Sequence, residues 1–365
     1  MSASVTALAA IGAVVPAGAA AYGYFLHSAK PAEPRLSAPV TVDTITVADR
    51  TRSYRAFVPA DLPPGAPLLF VLHGSQQDGK TIRAVTGYGF DKLAERHKFV
   101  VIYPDGYKRG WNDGRTAAVT PARKEDVDDE GLIAALVERF RQRHGIDPAR
   151  VFVTGFSNGG QLAFRLAART PELLAGIAVI GAGLPTPDQW AVTEPKSPLP
   201  VLLIAGTRDP IMPYEGGEAS IFGFQKRGTV LSAEATARAF AEVNGITRPP
   251  TSWPPTGSPL DGSDAPSVIE TRYTEPGKPP VVAFTVTGGG HTIPNPDYRF
   301  PRLMGRTDDS LGPADLDVLA VQLTAALDGP LLLYLSTTDL TEAARRIEER
   351  VGQGWQDLVH RVCRP

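Results

Sequence analysis

Ser157 stands between Gly155 and Gly159 in the stretch VFVTGFSNGGQLAF, residues 151–164. The β-branched and aromatic residues before it predict a strand, and residues 161–168 after it suit a helix, so the serine lies where the two join. A sharp turn of this kind needs small neighbours, because a side chain on either flank would collide with the adjacent strand or helix. A serine presented on such a turn is a candidate nucleophile.

A serine hydroxyl is a poor nucleophile at neutral pH, so it needs a base and an acid that holds the base in the right tautomer. His291, in TVTGGGHTIPN, directly follows the last clear strand pattern, and Asp209, in PVLLIAGTRDPIMP, follows an intervening one. Loops that leave the carboxyl ends of parallel strands meet at one edge of a sheet. We therefore expect Ser157, Asp209 and His291 to form a catalytic triad, in the chain order of the α/β-hydrolases.

Catalysis by such a triad also requires donors aimed at the developing oxyanion. The backbone N–H of Asn158, at the start of the predicted helix, is one candidate. The second is the N–H of Ser75 in the sequence LHGS, where Gly74 allows close approach. His73, in the same loop, is expected to be a hydrogen-bonding structural residue rather than a second base.

Short, continuous apolar runs alternate with amphipathic patterns from about residue 40 onward. Continuous apolarity indicates strands that are covered on both faces, which predicts an α/β fold with a mostly parallel central sheet between helices. The runs are LLFVL (68–72), FVVIY (99–103), VFVT (151–154), IAVI (177–180), VLLIA (201–205) and VVAFTV (281–286). Residues 40–58 are expected to add an antiparallel edge.

Helices are predicted between these strands. In one, Asp128 or Asp129 caps the start, an apolar stripe runs from Leu132 to Phe140, and Gly145 ends the helix. Other predicted helices cover residues 90–97, 232–244 and 313–327.

We assign residues 40–328 to one catalytic domain, within which the Pro-rich stretch 247–266 is expected to be an irregular excursion. The tail, residues 331–365, repeats apolar residues at three- and four-residue steps and predicts an amphipathic helix that docks on its own domain or on a second copy.

The N-terminal residues predict export. Residues 7–25 are almost wholly apolar or small, and no charged residue precedes Lys30. Residues 1–30 are interpreted as a signal peptide or a membrane anchor, which places the protein outside the cytoplasm. Whether the segment is cleaved is left open, as is the oligomeric state.

The charge and the cysteine count limit the partners and metal sites that are expected. A formal net charge of −2 leaves no basic surplus for a phosphate backbone, so nucleic acid is not an expected partner. Cys363 is the one cysteine, which excludes an intramolecular disulfide and a cysteine-rich metal site. No cofactor and no metal are implied.

The sequence resembles the polyhydroxybutyrate depolymerase-like esterases of the α/β-hydrolase superfamily, which are similar to feruloyl and acetylxylan esterases. The likeness spans roughly residues 45–300. It is carried by LHGSQQDG, VVIYPDGYKRGWNDG, DVDDEGLIAAL, DPARVFVTGFSNGGQLAFRLA, AGTRDPIMPYEGG and GGGHTIPN. The resemblance implies the same triad and the same oxyanion site near Ser75 and Asn158.

The chain departs from this family at several positions. Many relatives have a cysteine where this chain has Ser75, and an aromatic residue where it has Ile293. The resemblance therefore supports the hydrolysis of esters in general more strongly than the hydrolysis of a polymeric ester. Trp111, in GWNDG, is a candidate wall of the substrate site, although core packing explains it equally well.

The expected function is a serine carboxylic-ester hydrolase acting through an acyl-enzyme on polyhydroxyalkanoate-type or feruloyl and acetyl esters. Two alternatives remain. An acyltransferase would use the same triad with an alcohol as acceptor, and an envelope binding module would keep the fold without turnover. A peptidase is disfavoured because no propeller or gating domain accompanies the triad.

Overall fold

The computed structural model describes residues 28, 31–117, 120–221, 223–256, 267–295 and 297–305. Ten strands form one sheet, and two further strands form a separate hairpin. In spatial order the sheet contains β1 (Thr41–Val47), β2 (Arg50–Phe57), β4 (Val100–Pro104), β3 (Leu68–Leu72), β5 (Val151–Phe156), β6 (Gly176–Ile180), β7 (Val201–Gly206), β12 (Val281–Thr287), β11 (Ser267–Tyr273) and β10 (Thr251–Thr256). The hairpin contains β8 (Gly217–Ile221) and β9 (Gln225–Val230).

The six central strands, from β4 to β12 in spatial order, are parallel. At one edge β2 pairs antiparallel with β4 and β1 with β2, as expected for residues 40–58. At the other edge β11 and β10 add a second antiparallel pair. The predicted mostly parallel sheet is therefore confirmed, and both of its edges are antiparallel.

The helices of the described residues connect these strands. They are α1 (Gly79–Val85), α2 (Gly89–His97), α3 (Pro121–Lys124), α4 (Asp129–His144), α5 (Asn158–Arg169) and α6 (Ala233–Val243). Helix α4 begins after Asp128, whose Oδ1 accepts a hydrogen bond from the N–H of Gly131 at 2.7 Å. It ends at Gly145, which takes the left-handed conformation with φ of 63°. The predicted cap and stop residues are thus confirmed.

Two cores cover the two faces of the sheet. Leu68, Phe70 and Leu72 of β3 point to the face that α4, α5 and α6 cover. The alternate residues of β3, Leu69 and Val71, point to the face that α1 and α2 cover. Because both faces are buried, the strands read as continuous apolar runs.

One expectation is corrected by the fold. The stretch 247–266 is not irregular throughout, because residues Thr251–Thr256 form β10 and pair with β11. Backbone pairing with a neighbouring strand overrides the low strand preference of its prolines at this sheet edge. The predicted leader, the helix at 313–327 and the tail at 331–365 lie outside the described residues. In the part of the chain that the structure describes, no helix has the length and apolarity needed to cross a membrane.

Candidate active site

Ser157 lies at the turn between the end of β5 and the first residue of α5. Its backbone has φ of 54° and ψ of −115°, a combination that a residue with a side chain rarely adopts. Its N–H donates to the carbonyl oxygen of Ile180 on the neighbouring strand at 2.9 Å. The surrounding strand and helix therefore hold the serine in a strained conformation on the sheet edge.

The two flanking glycines are required by close packing. A Cβ on Gly155 would lie 2.3 Å from the carbonyl carbon and oxygen of Gly159, on the helix that folds back over the strand. A Cβ on Gly159 would lie 2.4 Å from the carbonyl oxygen of Leu72 at the end of β3. Both distances are shorter than real Cβ contacts allow, so the spacing of the motif follows from the turn itself.

Asp209 and His291 form a buried hydrogen-bonded pair. Oδ2 of Asp209 lies 2.7 Å from Nδ1 of His291, and each side chain is only 2% exposed. The other carboxylate oxygen, Oδ1, accepts from the N–H groups of Ile211 and Met212, each at 2.8 Å. The carboxylate is therefore fixed by its own loop and holds the imidazole with Nε2 as the ring nitrogen that faces away from it.

His291, in the loop after β12, is held by one backbone hydrogen bond and by one ring contact with β5. Its N–H donates to the carbonyl oxygen of Met304 at 2.7 Å. Its ring packs on Phe156, the residue before Ser157, with ring centroids 4.8 Å apart. The last residue of β5 thus contacts the histidine while the next residue carries the hydroxyl.

Ser157 and His291 line the same cavity, whose volume is about 200 Å³. Both predicted oxyanion residues, Ser75 and Asn158, line it as well. The remaining lining is mostly apolar, with three polar side chains among it: Gly74, Gln77, Arg115, Phe156, Ile211, Met212, Ala219, Ile221, Arg227 and Met304. The structure therefore brings four of the predicted site residues to one cavity and ties Asp209 to it through His291.

One candidate oxyanion donor, Asn158, lies at the start of a helix, and the other, Ser75, lies in the loop after β3. Asn158 begins α5, and the first N–H groups of a helix have no partner within the helix. Its side chain accepts from the N–H of Trp111 at 2.9 Å and donates to Asp113 at 2.6 Å. In the loop of Ser75, the N–H of Gly74 donates to Oε1 of Gln77 at 3.0 Å.

His73 is a structural residue of that loop, as expected. It is fully buried, its Nδ1 lies 2.7 Å from the carbonyl oxygen of Gly74, and its Nε2 accepts from the N–H of Gly106 at 2.8 Å. The tautomer with hydrogen on Nδ1 satisfies both contacts. Burial lowers the pKa of His73 to about 4, so the ring is neutral near pH 7.

Trp111 does not form a wall of the cavity. Its side chain is 0% exposed, and its indole N–H donates to the carbonyl oxygen of His73 at 2.8 Å. The ring stacks against His73, with centroids 4.7 Å apart. The structure places Trp111 beneath the loop that carries Ser75, where it supports the site without access to a substrate.

Ile293 does not line the cavity either. It is buried in the core on the α1 and α2 face and is not among the residues that line the cavity. Ile293 therefore contributes to core packing and not to the cavity surface.

Sequence reasoning missed the polar residues opposite the serine. Arg115 and Arg227 line the cavity, and Asp113 is buried behind it in a salt bridge with Arg115 at 2.6 Å. Arg227 comes from the hairpin β8 and β9, whose short strands carry no clear alternation. In the segment GWNDGR the sequence marks Trp111 as a candidate site residue, and no signal in the sequence links Arg115 to Arg227.

The fold and the buried pair beside a serine on a strand-to-helix turn define an α/β-hydrolase. A model of the dienelactone hydrolase family matches residues 84–232. The protein NocK of Nocardia uniformis subsp. tsuyamanensis, whose name ascribes it an esterase activity, is 32% identical over 296 residues, which cover 78% of this chain and 83% of NocK. The chain belongs to the dienelactone hydrolase family of the α/β-hydrolase superfamily.

Other relatives share shorter stretches. Poly(3-hydroxyalkanoate) depolymerase C of Paucimonas lemoignei is 34% identical over 131 residues, which cover 34% of this chain and 30% of the depolymerase. Feruloyl esterase B of Piromyces equi is 24% identical over 231 residues, which cover 62% of this chain and 39% of that enzyme. Among solved structures, an acetyl xylan esterase from Aspergillus awamori superposes with a TM-score of 0.50 at 20% identity, covering 70% of this chain and 95% of the other. This last likeness concerns the fold.

Proposed function

We propose that the protein is a serine carboxylic-ester hydrolase that acts through an acyl-enzyme. The observation that carries the proposal is the buried Asp209–His291 hydrogen bond of 2.7 Å beside a cavity that His291 shares with Ser157. The esterase names of several relatives in the family support the same reaction class.

In the first half-reaction Oγ of Ser157 attacks the ester carbonyl carbon while Nε2 of His291 accepts the hydroxyl proton. The carbonyl π electrons move to the oxygen, and the resulting tetrahedral intermediate collapses by breaking the bond to the alcohol oxygen. The imidazolium gives its proton to the departing alcohol. Asp209 stabilises the imidazolium and keeps the ring in its orientation.

In the second half-reaction water attacks the acyl-enzyme and His291 accepts its proton. The second tetrahedral intermediate releases the carboxylic acid, and the proton returns to Oγ of Ser157. The proposal requires Oγ and Nε2 to come within about 2.6–3.2 Å when substrate is bound. The N–H groups of Asn158 and Ser75 are proposed to donate to the oxyanion in both steps.

A cavity of about 200 Å³ favours a small acyl or alcohol group at the reacting centre. Short acyl groups, such as the acetyl group in the names of some relatives, fit a cavity of this size. We therefore propose short-chain esters, including hydroxyalkanoate units, as the substrate class.

The direct test is hydrolysis of p-nitrophenyl acetate and butyrate by the wild type and by Ser157→Ala. The expected result is loss of turnover in Ser157→Ala, together with loss of covalent labelling by a fluorophosphonate probe. The matched control is Ser252→Ala, which removes an exposed hydroxyl whose hydrogen-bond partner among the described residues is Thr271, and it should leave both readouts intact. Turnover by folded Ser157→Ala would contradict the assignment of the nucleophile.

The same assays separate the two alternatives. Added glycerol should not divert the acyl group, so the acid should exceed the glyceryl ester among the products. Excess glyceryl ester would favour acyl transfer, and a wild type that neither turns over nor reacts with the probe would favour a binding module.

We also propose that the protein works outside the cytoplasm, on the basis of the apolar residues 7–25. Fractionation of cells that produce the full chain should place it in the envelope or the medium. Recovery in the cytosol with residues 1–30 intact would contradict this location.

A further inference from the structure

The side chain of Asn158 fastens the start of α5 to the loop of residues 111–115. Its Oδ1 accepts from the N–H of Trp111 at 2.9 Å, and its Nδ2 donates to Oδ2 of Asp113 at 2.6 Å. The two partners allow one orientation of the amide, because the N–H must meet the oxygen and the carboxylate must meet the NH₂ group. The backbone N–H of the same residue is the proposed oxyanion donor, so these two bonds also fix the residue that carries that donor.

Asp113 is a rigid acceptor for this amide. Its side chain is 0% exposed. Oδ2 also accepts from Nε and Nη2 of Arg115, at 3.0 and 2.6 Å, and Oδ1 accepts from the N–H of Arg115 at 3.1 Å. The carbonyl oxygen of Asp113 accepts from the indole N–H of Trp190 at 3.2 Å. Since both carboxylate oxygens and the backbone are bonded, the position of Asp113 sets the position of the Asn158 amide.

These bonds come directly after the strained residue of the turn. Ser157 has φ of 54° and ψ of −115°, and such a conformation persists only where the surrounding structure enforces it. On one side of the strain, the N–H of Ser157 donates to the carbonyl oxygen of Ile180 at 2.9 Å. On the other side, the next side chain along the chain is the Asn158 amide, held by Trp111 and Asp113. The strained turn is therefore held from both sides.

We propose that Asp113 is a positioning residue for ester hydrolysis. Through the amide of Asn158 it aims the backbone N–H of Asn158 at the oxyanion and keeps the Ser157 turn in its strained geometry. Asp113 is not among the residues that line the cavity, so it acts through Asn158 and not by contact with the substrate. The inference rests on the proposed esterase function and deepens it, because it names a residue outside the cavity on which turnover depends.

The experiment breaks the bond between the two side chains in two ways. Asn158→Ala removes the amide but keeps the backbone N–H. Asn158→Asp sets a second carboxylate 2.6 Å from that of Asp113, where neither group can donate at pH 8. The double variant Asp113→Asn/Asn158→Asp restores the bond with its direction reversed, because the amide at position 113 can donate to the carboxylate at position 158. That carboxylate can still accept from the N–H of Trp111.

Three quantities are measured at pH 8. The first is kcat/KM for p-nitrophenyl butyrate. The second is the inhibition constant of 1-butaneboronic acid: its boron forms a bond to Oγ of Ser157 while the hydroxyl proton passes to His291, which gives a tetrahedral adduct with an oxygen at the oxyanion position. The third is the inhibition constant of butyramide, a planar analogue of the bound ester.

Removal of one oxyanion donor lowers kcat by about 10²- to 10³-fold, and a misdirected donor should cost less. Asn158→Ala and Asn158→Asp should therefore lower kcat/KM by about 10- to 100-fold and raise the inhibition constant of the boronic acid by a similar factor. The inhibition constant of butyramide should change by less than about threefold, because a planar carbonyl carries little of the charge that the donor stabilises. The double variant should recover about half of the loss or more on a logarithmic scale. Recovery is incomplete because Arg115 loses its acceptor at 2.6 Å.

The matched control is Asp91→Asn. Asp91 is another fully buried aspartate with an arginine partner, Nε of Arg83 at 2.7 Å, and it also accepts from the hydroxyl of Tyr103 at 2.7 Å. It lies in α2 and is not among the residues that line the cavity. Its substitution should lower the melting temperature and leave the ratio of the two inhibition constants unchanged. The ratio compares two ligands on one sample, so partial unfolding does not distort it.

A folded Asn158→Ala or Asn158→Asp protein with kcat/KM within about threefold of the wild type would overturn the inference. So would a loss in which both inhibition constants rise together, since the whole cavity would then have changed. A double variant that is no more active than Asn158→Asp would remove Asp113 from its role. Each of these results leaves the esterase intact, whereas failure of the proposed function itself would appear as hydrolysis that persists in Ser157→Ala.

Discussion

Replacement of Asp209 by Asn tests whether the buried pair controls the tautomer of the base. The Asn side chain is nearly the same size as that of Asp, but an NH₂ group replaces one of the two carboxylate oxygens. In the wild type, Oδ1 accepts from the N–H groups of Ile211 and Met212, each at 2.8 Å. The amide oxygen will keep this position, because turning NH₂ towards two buried N–H groups would leave both unsatisfied at a cost of about 1–3 kcal/mol each.

The NH₂ group then faces Nδ1 of His291 across the 2.7 Å contact. An NH₂ group can only donate there, so Nδ1 must be the acceptor and the ring hydrogen must sit on Nε2. An imidazole in this tautomer cannot take the proton of Ser157. Loss of the correct tautomer in a serine, histidine and aspartate site lowers kcat by about 10⁴-fold.

The expected result for Asp209→Asn is a fall in kcat of about 10³- to 10⁴-fold, with a melting temperature close to that of the wild type. The assay is steady-state hydrolysis of p-nitrophenyl butyrate, with thermal unfolding measured in parallel. Asp188→Asn, at an exposed position, is the matched control and should retain wild-type activity. A folded Asp209→Asn protein with kcat within about tenfold of the wild type would refute the reasoning.

Two other predictions concern the elements that support the site. Gly159→Ala would place a Cβ 2.4 Å from the carbonyl oxygen of Leu72, so it should destabilise the protein by more than about 1 kcal/mol and reduce ester hydrolysis. The control is Gly89→Ala, whose Cβ would have no atom within 4 Å and which should be neutral or stabilising. Urea unfolding of both variants measures the difference. For His73, whose pKa falls to about 4 on burial, the unfolded chain binds more protons than the folded one between pH 6.5 and 4. The free energy of unfolding should therefore fall by up to about 3 kcal/mol as the pH drops through this range, and His73→Asn should show a shallower slope in urea unfolding at several pH values.

The central sheet was predictable because both of its faces are buried. A strand covered on two sides must be apolar at every position, which makes each run visible in the sequence, as with LLFVL and β3 (Leu68–Leu72). The start and end of α4 were predictable because Asp128 accepts a hydrogen bond from the first turn and Gly145 takes the left-handed conformation, and few other residue types can replace either one.

The strand-to-helix serine motif was informative for a similar reason. Gly155 is required by the backbone of Gly159, four positions away, so the sequence shows this constraint in one place, whereas Gly159 is required by the backbone of Leu72 at the end of β3. The pairing of Asp209 with His291 joins loops 82 positions apart, and it was predicted from the strands that these loops follow, from the chain order of α/β-hydrolases and from the family resemblance.

The cavity lining could not be predicted in the same way. Nη1 of Arg115 donates to the backbone oxygen of Arg227 in β9, 112 positions away, and nothing local in either sequence segment indicates the other. For Trp111 the sequence provided a signal but not a role. A large aromatic residue beside a predicted site can either line the cavity or pack beneath the loop that carries the site. Burial, which only the packed structure reveals, decides between them.

Two separate parts of the molecule build the cavity. Asp209 and His291 leave the central sheet at β7 and β12, whereas Arg227 belongs to a two-stranded hairpin that shares no strand with that sheet. For the proposed esterase, changes in the hairpin would therefore alter the wall of the cavity while the Asp209–His291 pair stays in place.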